Sequence, residues 1–289
     1  MDQIQEKILS ELRKNISEFE KKLDGDVIVI YGPMGNDLPQ ALVDSIELLT
    51  KSPTKHNSLF ILLTTTGGDA RTVERVVNII RHHYKEVNFI VPDYAYSAGT
   101  ILCMSGDNIY MDYFSILGPI DPQVPNKDGH LVPAQGYLGK IEELMQRARR
   151  GELSQAEFLI LKDFDLAEIS EYEQASELTI ELLETWLAKY KFKNWVKTET
   201  NGVPVTPEMK SKRAKEIAKI LDDHSRWKTH GRPLDINTLE SIGLKITDYS
   251  KNESLQRMVR EFQSFLTNFI DQYKIGALLL IGDKHEQGK

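Results

Sequence analysis

The chain holds one cysteine, Cys103, among 289 residues, which excludes an intramolecular disulfide and any zinc site built from several thiolates. A lone thiol suits a reducing compartment, so a cytoplasmic location is expected. Basic residues are in deficit, 36 Lys and Arg against 43 Asp and Glu for a net charge of −7, so no broad cationic surface for nucleic acid is expected. Long apolar runs are missing too. The most apolar one, Ile275-Gly-Ala-Leu-Leu-Leu-Ile-Gly282, is about half of the roughly 20 residues a membrane span needs, so membrane association would have to be peripheral. The first 26 residues mix acids and bases without the apolar core of a signal peptide, and the N-terminus is expected to stay on the protein. There is no internal repeat and neither a P-loop nor a dinucleotide fingerprint, and nothing in the sequence calls for a metal, nucleotide or organic cofactor.

A hydrophobic content of 40% is enough to bury a core of one or two domains. Ile4, Ile8, Leu9, Leu12, Ile16 and Phe19 recur at helical spacing on an otherwise charged segment, so residues 3–22 form an amphipathic helix that docks on its own body or on another subunit. Short apolar runs at Val27–Tyr31, Leu59–Thr64, Val87–Val91 and Asn108–Met111 read as buried strands. Helical patterns at 39–51 and 69–84 separate the first three. Alternation of this kind predicts an α/β fold with a parallel sheet. From about 138 the pattern becomes helical (138–150, 153–162, 166–193), breaks at Thr198-Glu-Thr-Asn-Gly-Val-Pro-Val-Thr-Pro-Glu208 and resumes at 207–222. A short helix closed by Gly243, a short strand and an amphipathic stretch at 252–273 follow.

Two loops can carry chemistry. Thr64-Thr-Thr-Gly-Gly-Asp69 follows a strand and opens a helix, so Gly67 and Gly68 can turn sharply and aim N–H groups outward at the positive end of the helix dipole; it is an anion pocket or a plain turn. In Asp93-Tyr-Ala-Tyr-Ser-Ala-Gly-Thr100, Ser97 sits among small residues between a strand and the helical run Ile101–Met104. It is either an exposed nucleophile beside an oxyanion donor or an ordinary helix cap.

The order of these loops, followed by Ile116-Leu-Gly-Pro-Ile-Asp-Pro-Gln123, resembles the superfamily that includes the Clp protease proteolytic subunit, signal peptide peptidase A and the crotonases. Within it the chain is most similar to the signal peptide peptidase A group, in particular the serine dehydrogenase proteinases, or ClpP-class serine proteases. The likeness covers about 26–125 and returns from His230-Gly-Arg-Pro233 to Gly243-Leu244. It implies stacked ββα units with added helices: an N-terminal helix at 1–25, a peptidase domain at 26–250 with a helical insertion at about 138–225, and a C-terminal helix and tail at 251–289. It implies Ser97 as nucleophile, the amides of Gly68 and Ala98 as oxyanion hole, and Gly67 and Gly99 as shaping residues.

The base is not fixed by the resemblance. The Clp-type histidine about 25 residues past the serine is replaced by Asp121-Pro122-Gln123, which speaks against a triad of that kind. The signal peptide peptidase A pattern calls for a lysine of lowered pKa. Lys140 and Lys162 are candidates, the latter because Phe158-Leu-Ile-Leu161 offers an apolar setting, although a lysine snorkelling from a helix to water looks the same. His230 is the other contender, with Asp121 either orienting it or forming a turn. The expected function is a serine endopeptidase acting on polypeptides, assembled as a homo-oligomer. The alternatives are a crotonase-type acyl-CoA enzyme and a non-catalytic scaffold or partner-binding relative.

Overall fold

The computed structural model describes residues 3–52, 55–125, 129–198 and 200–283. The chain opens with α1 (Gln3–Leu23), then alternates β1 (Asp26–Tyr31), α2 (Leu38–Lys51), β2 (Ser58–Thr64), α3 (Ala70–His83) and β3 (Glu86–Ile90). A short strand β4 (Tyr94–Ala95) leads into α4 (Ala98–Cys103), followed by β5 (Asn108–Met111), β6 (Ile116–Leu117) and the pair β7 (Gln123–Pro125) and β8 (Leu131–Pro133). The helical region is α5 (Ala134–Arg149), α6 (Gln155–Lys162), α7 (Leu166–Trp186) with a π-helical turn at Leu187–Lys191, and α8 (Pro207–Asp222). The short helices α9 (His224–Trp227) and α10 (Ile236–Ser241), β9 (Thr247–Asp248), the long α11 (Glu253–Tyr273) and β10 (Leu278–Ile281) complete it.

The main sheet has the order β10-β1-β2-β3-β5-β9, parallel except for β10 on its edge. This is the expected mixed α/β class with a parallel-dominated sheet. Its central strands read as unbroken apolar runs because both faces are covered, and their side chains alternate between two cores. Ile28, Ile30, Leu59, Ile61 and Leu63 face α2 and α3, while Val27, Val29, Phe60 and Leu62 face α1 and α11. The stripe on α1 therefore docks on its own sheet: Leu12, Ile16 and Phe19 are fully buried, and Phe19 meets Phe262 of α11 edge-on at 5.5 Å between ring centroids. Truncating Phe19 to alanine would cost about 3–5 kcal/mol.

The apolar run at 275–282 forms the antiparallel edge strand β10, in which Leu280 pairs with Val29 and Ile281 with Ile28. Among the described residues no helix is long and apolar enough to cross a membrane. The helical pattern expected over 166–193 leaves α geometry after Trp186, and the π-helical turn begins at Leu187.

Candidate active site

Both chemistry-bearing loops follow the C-terminal ends of strands at the same edge of the sheet. After β2 the chain turns through Thr65, Thr66, Gly67 and Gly68 into α3. This turn is tied to the segment after β1, with Met34 N–H donating to Gly67 O at 2.8 Å and Asp69 N–H donating to Met34 O at 3.3 Å. Gly67 has φ +107°, and a Cβ there would lie 2.8 Å from Ser97 Cβ and 3.0 Å from Tyr96 O. Gly68 has φ +153°, and a Cβ there would lie 2.5 Å from Met34 O. Only glycine fits either place. The Gly67 N–H is used by Thr65 Oγ1 at 3.0 Å, whereas the Gly68 N–H has no acceptor among the described residues.

The second loop is held against the first by a bridge between Thr65 and Ala95, with Thr65 N–H donating to Tyr94 O and Tyr96 N–H to Thr65 O, both at 3.0 Å. Ser97 stands before the first turn of α4 with φ +52° and ψ −115°, and its hydroxyl makes no capping hydrogen bond. The capping role open to it from the sequence is not the one it plays. A non-glycine residue in that region stores about 1–3 kcal/mol of strain, which persists only where surrounding contacts impose it. Here they come from Gly99, whose missing side chain lets α4 lie against Thr65, and from Gly118, where a Cβ would meet the Tyr96 ring at 2.6 Å. Ala98 N–H, first in its helix, has no intrahelical acceptor by position.

The strand β6 runs parallel to β4, pairing Ala95 with Leu117, and on its other side Leu117 exchanges backbone hydrogen bonds with Leu234 at 2.9 and 3.0 Å. Three residues on, Ile120 N–H donates to Leu221 O at 3.1 Å. The segment 117–121 is thus clamped between residues 221 and 234, and the intervening stretch brings two histidines to one carboxylate. Asp121 is fully buried; His230 Nδ1 lies 2.9 Å from its Oδ1 and His224 Nδ1 lies 3.1 Å from its Oδ2. Both imidazoles are about one quarter exposed. Beside them burial pushes the Asp222 carboxyl up to about 6, with Asp121 adding to the rise, against hydrogen bonds donated by Ser176 and Gln135.

Sequence reasoning named Ser97, Gly67, Gly68, Ala98, Gly99, Asp121 and His230; the structure packs Gly67, Ser97, Ala98 and Gly99 together in the paired loops and joins His230 to Asp121, the two groups being connected through the Ala95–Leu117 and Leu117–Leu234 pairings. It missed His224, which no local pattern sets apart. The lysines are placed otherwise. Lys162 ends α6, a helix with no buried residue, and is itself exposed; Phe158, Leu159 and Ile160, expected to desolvate it, are each more than half exposed. The apolar setting is absent because the run is one solvent-facing turn, not a packed one. Lys140 is exposed on α5 and paired with Glu143 at 2.9 Å. Among the described residues no group of three or more His, Cys, Asp or Glu side chains could hold a metal ion. Next to the Gly67 loop lies a cavity of about 360 Å³ lined by Tyr31, Thr64–Thr66, Tyr94, Asp271 and Lys274, among others.

The family model described as ClpP-like SDH-type serine proteinase matches residues 41–206. Two proteins of Methanocaldococcus jannaschii are similar in sequence: the uncharacterized protein MJ1495, 28% identical over 70% of this chain and 54% of its own length, and the uncharacterized protein MJ0137, 26% identical over 70% and 59%. The chain thus spans little more than half the length of these relatives. Among solved structures, a serine-to-alanine mutant of the 1510-N membrane-bound stomatin-specific protease aligns over 80% of this chain and 84% of its own, with a TM-score of 0.46 and 14% identity. An asparagine-to-aspartate mutant of ClpP1 from Listeria monocytogenes aligns over 53% and 91%, with a TM-score of 0.31 and 16% identity.

Proposed function

Because the chain belongs to the family of ClpP-like SDH-type serine proteinases, we propose that it is a serine endopeptidase in which Ser97, His230 and Asp121 act as nucleophile, base and orienting acid. The observation that carries the choice of a histidine as base is the Nδ1 contact with the buried Asp121, which His224 also makes; His230 is taken because it lies four residues before Leu234, which pairs with the strand beside the serine loop. A carboxylate at Nδ1 holds the proton there and leaves Nε2 as the acceptor, the arrangement a serine needs.

In this reading Ser97 Oγ attacks the scissile carbonyl while His230 Nε2 takes its proton. The negative charge that develops on the carbonyl oxygen is met by the N–H groups of Gly68 and Ala98, each such donor being worth roughly 10²–10³ in rate. Asp121 stabilises the imidazolium, which then gives its proton to the leaving amine. Water then attacks the acyl-Ser97 ester and gives a proton to His230 Nε2, which returns it to Ser97 Oγ as the ester bond breaks and the acid leaves. The chain order, serine then aspartate then histidine, differs from the Clp order because Asp121 stands where that pattern has its histidine. The strained backbone at Ser97 supports the reading, since the residue keeps that conformation at the cost of stability while its hydroxyl makes no capping hydrogen bond.

The substrate class is polypeptide, with the cavity beside the Gly67 loop taking a side chain. A homo-oligomer accords with the exposed apolar group Phe158, Leu159, Ile160 and Leu166, since patches of that kind mark interaction surfaces.

The test is labelling of the purified chain with a fluorophosphonate probe. Native protein and Lys162→Ala label, whereas folded Ser97→Ala and His230→Ala do not. Labelling lost in Lys162→Ala and kept in His230→Ala would move the base to the lysine. A folded native protein that does not label would point to the scaffold reading.

A further inference from the structure

The opposite edge of the sheet, where β3 and β5 begin, carries a second concavity that the peptidase reading does not use. It is a cavity of about 340 Å³ whose lining includes Lys191, Lys193, Lys245, Asn194 and Trp195. Lys191 closes the π-helical turn that follows α7, a feature often found at functional positions. Its Nζ contacts Asp107 O at 3.5 Å, longer than an ordinary hydrogen bond. Lys245 forms no ion pair among the described residues and lies close enough to repel the Lys191 ammonium. Burial is the main cause that pushes the Lys191 pKa down to about 8, against the attraction of Asp107 and the Cys103 thiol.

One of the two carboxylates at this place is already engaged. Asp107 is almost fully buried and receives Arg81 at 2.9 Å, Val87 N–H at 2.7 Å and Lys193 at 2.5 Å. Glu86, the other acid of the lining, takes a long hydrogen bond from Asn88 at 3.4 Å. Four cations, Arg81, Lys191, Lys193 and Lys245, thus meet two carboxylates, on a chain whose net charge is −7. Lys193 and Lys245 are exposed while Lys191 is largely withdrawn from water, and an anion that enters the concavity offsets the cost of gathering their like charges. Ammonium groups act as point charges with no fixed fork, and a compact, multiply charged anion such as phosphate can engage several of them at once. Trp195, partly buried and packed edge-on with Phe192, adds an aromatic surface to the lining.

We propose that this cavity binds a small phosphate-bearing molecule, whose phosphate rests on the ammonium groups of Lys191, Lys193 and Lys245. The proposal does not depend on the chemistry of Ser97. It is tested by calorimetric titration of the full chain with pyrophosphate at physiological salt. Saturable binding is expected, weakened about tenfold or more in Lys191→Gln/Lys245→Gln, which removes two charges while keeping polar side chains. The control Lys212→Gln/Lys219→Gln removes two exposed charges from α8 and should bind as the native chain does. The proposal fails if the native protein shows no saturable binding, if the cavity variant binds equally well, or if the control loses binding to the same extent.

Discussion

Replacing Asp121 by asparagine alters the candidate site with almost no change in shape. The carboxylate holds His230 through one oxygen and His224 through the other, while the amide offers one oxygen and one NH2. If the NH2 meets His230, Nδ1 must accept, the proton moves to Nε2, and the lone pair that takes the serine proton is gone. If the oxygen meets His230 the tautomer survives, but the charge that stabilises the imidazolium does not. A unit charge about 4 Å away at an effective dielectric of about 20 is worth about 4 kcal/mol, or roughly 10³ in rate, and the wrong tautomer raises the loss to about 10⁴. The expected outcome for Asp121→Asn is therefore a fall of about 10³–10⁴ in kcat/KM for peptide hydrolysis and a matching loss in labelling rate, with the fold intact by circular dichroism. A rate within about threefold of native, less than 1 kcal/mol of barrier, would show that the carboxylate serves only structure.

Ser97→Gly should abolish labelling and raise stability by about 1 kcal/mol, because glycine adopts φ +52° without strain; a lower urea midpoint than native would show that the serine conformation is unstrained. Asp222 holds its proton more tightly when folded, at about 6 against a usual 3.8, so its contribution is fully present below pH 3.8 and is lost as pH rises through about 6. A shift of that size corresponds to ~3 kcal/mol, and Asp222→Asn, which has no such proton to lose, should gain stability relative to native between pH 4 and 7. A native-minus-variant difference that stays flat across that range would contradict it.

Much of the fold was legible from pattern alone. Apolar strands, amphipathic helices and their alternation are set by neighbours a few residues apart, so β1, β2, β3 and β5 and the helices between them stand where the periodicity placed them. The glycines at 67 and 68 and the small residues around Ser97 were readable for the same reason, since a tight strand-to-helix turn restricts its own residues. Burial was less legible. The apolar run Phe158–Leu161 looked able to desolvate Lys162, yet α6 buries no residue, because whether an apolar turn meets a partner depends on what packs above it. The packing of α1 against α11 and the antiparallel pairing of β10 with β1 were decided in the same way, by surfaces more than 200 residues away in the chain. The histidine–aspartate contact lies furthest from local pattern. Asp121 and His230 are 109 residues apart, and they meet only because Leu117 pairs with Leu234 and Ile120 with Leu221. Local sequence determined the strands, the helices and the serine loop; long-range backbone hydrogen bonding, which no short window of sequence contains, decided which titratable groups stand together.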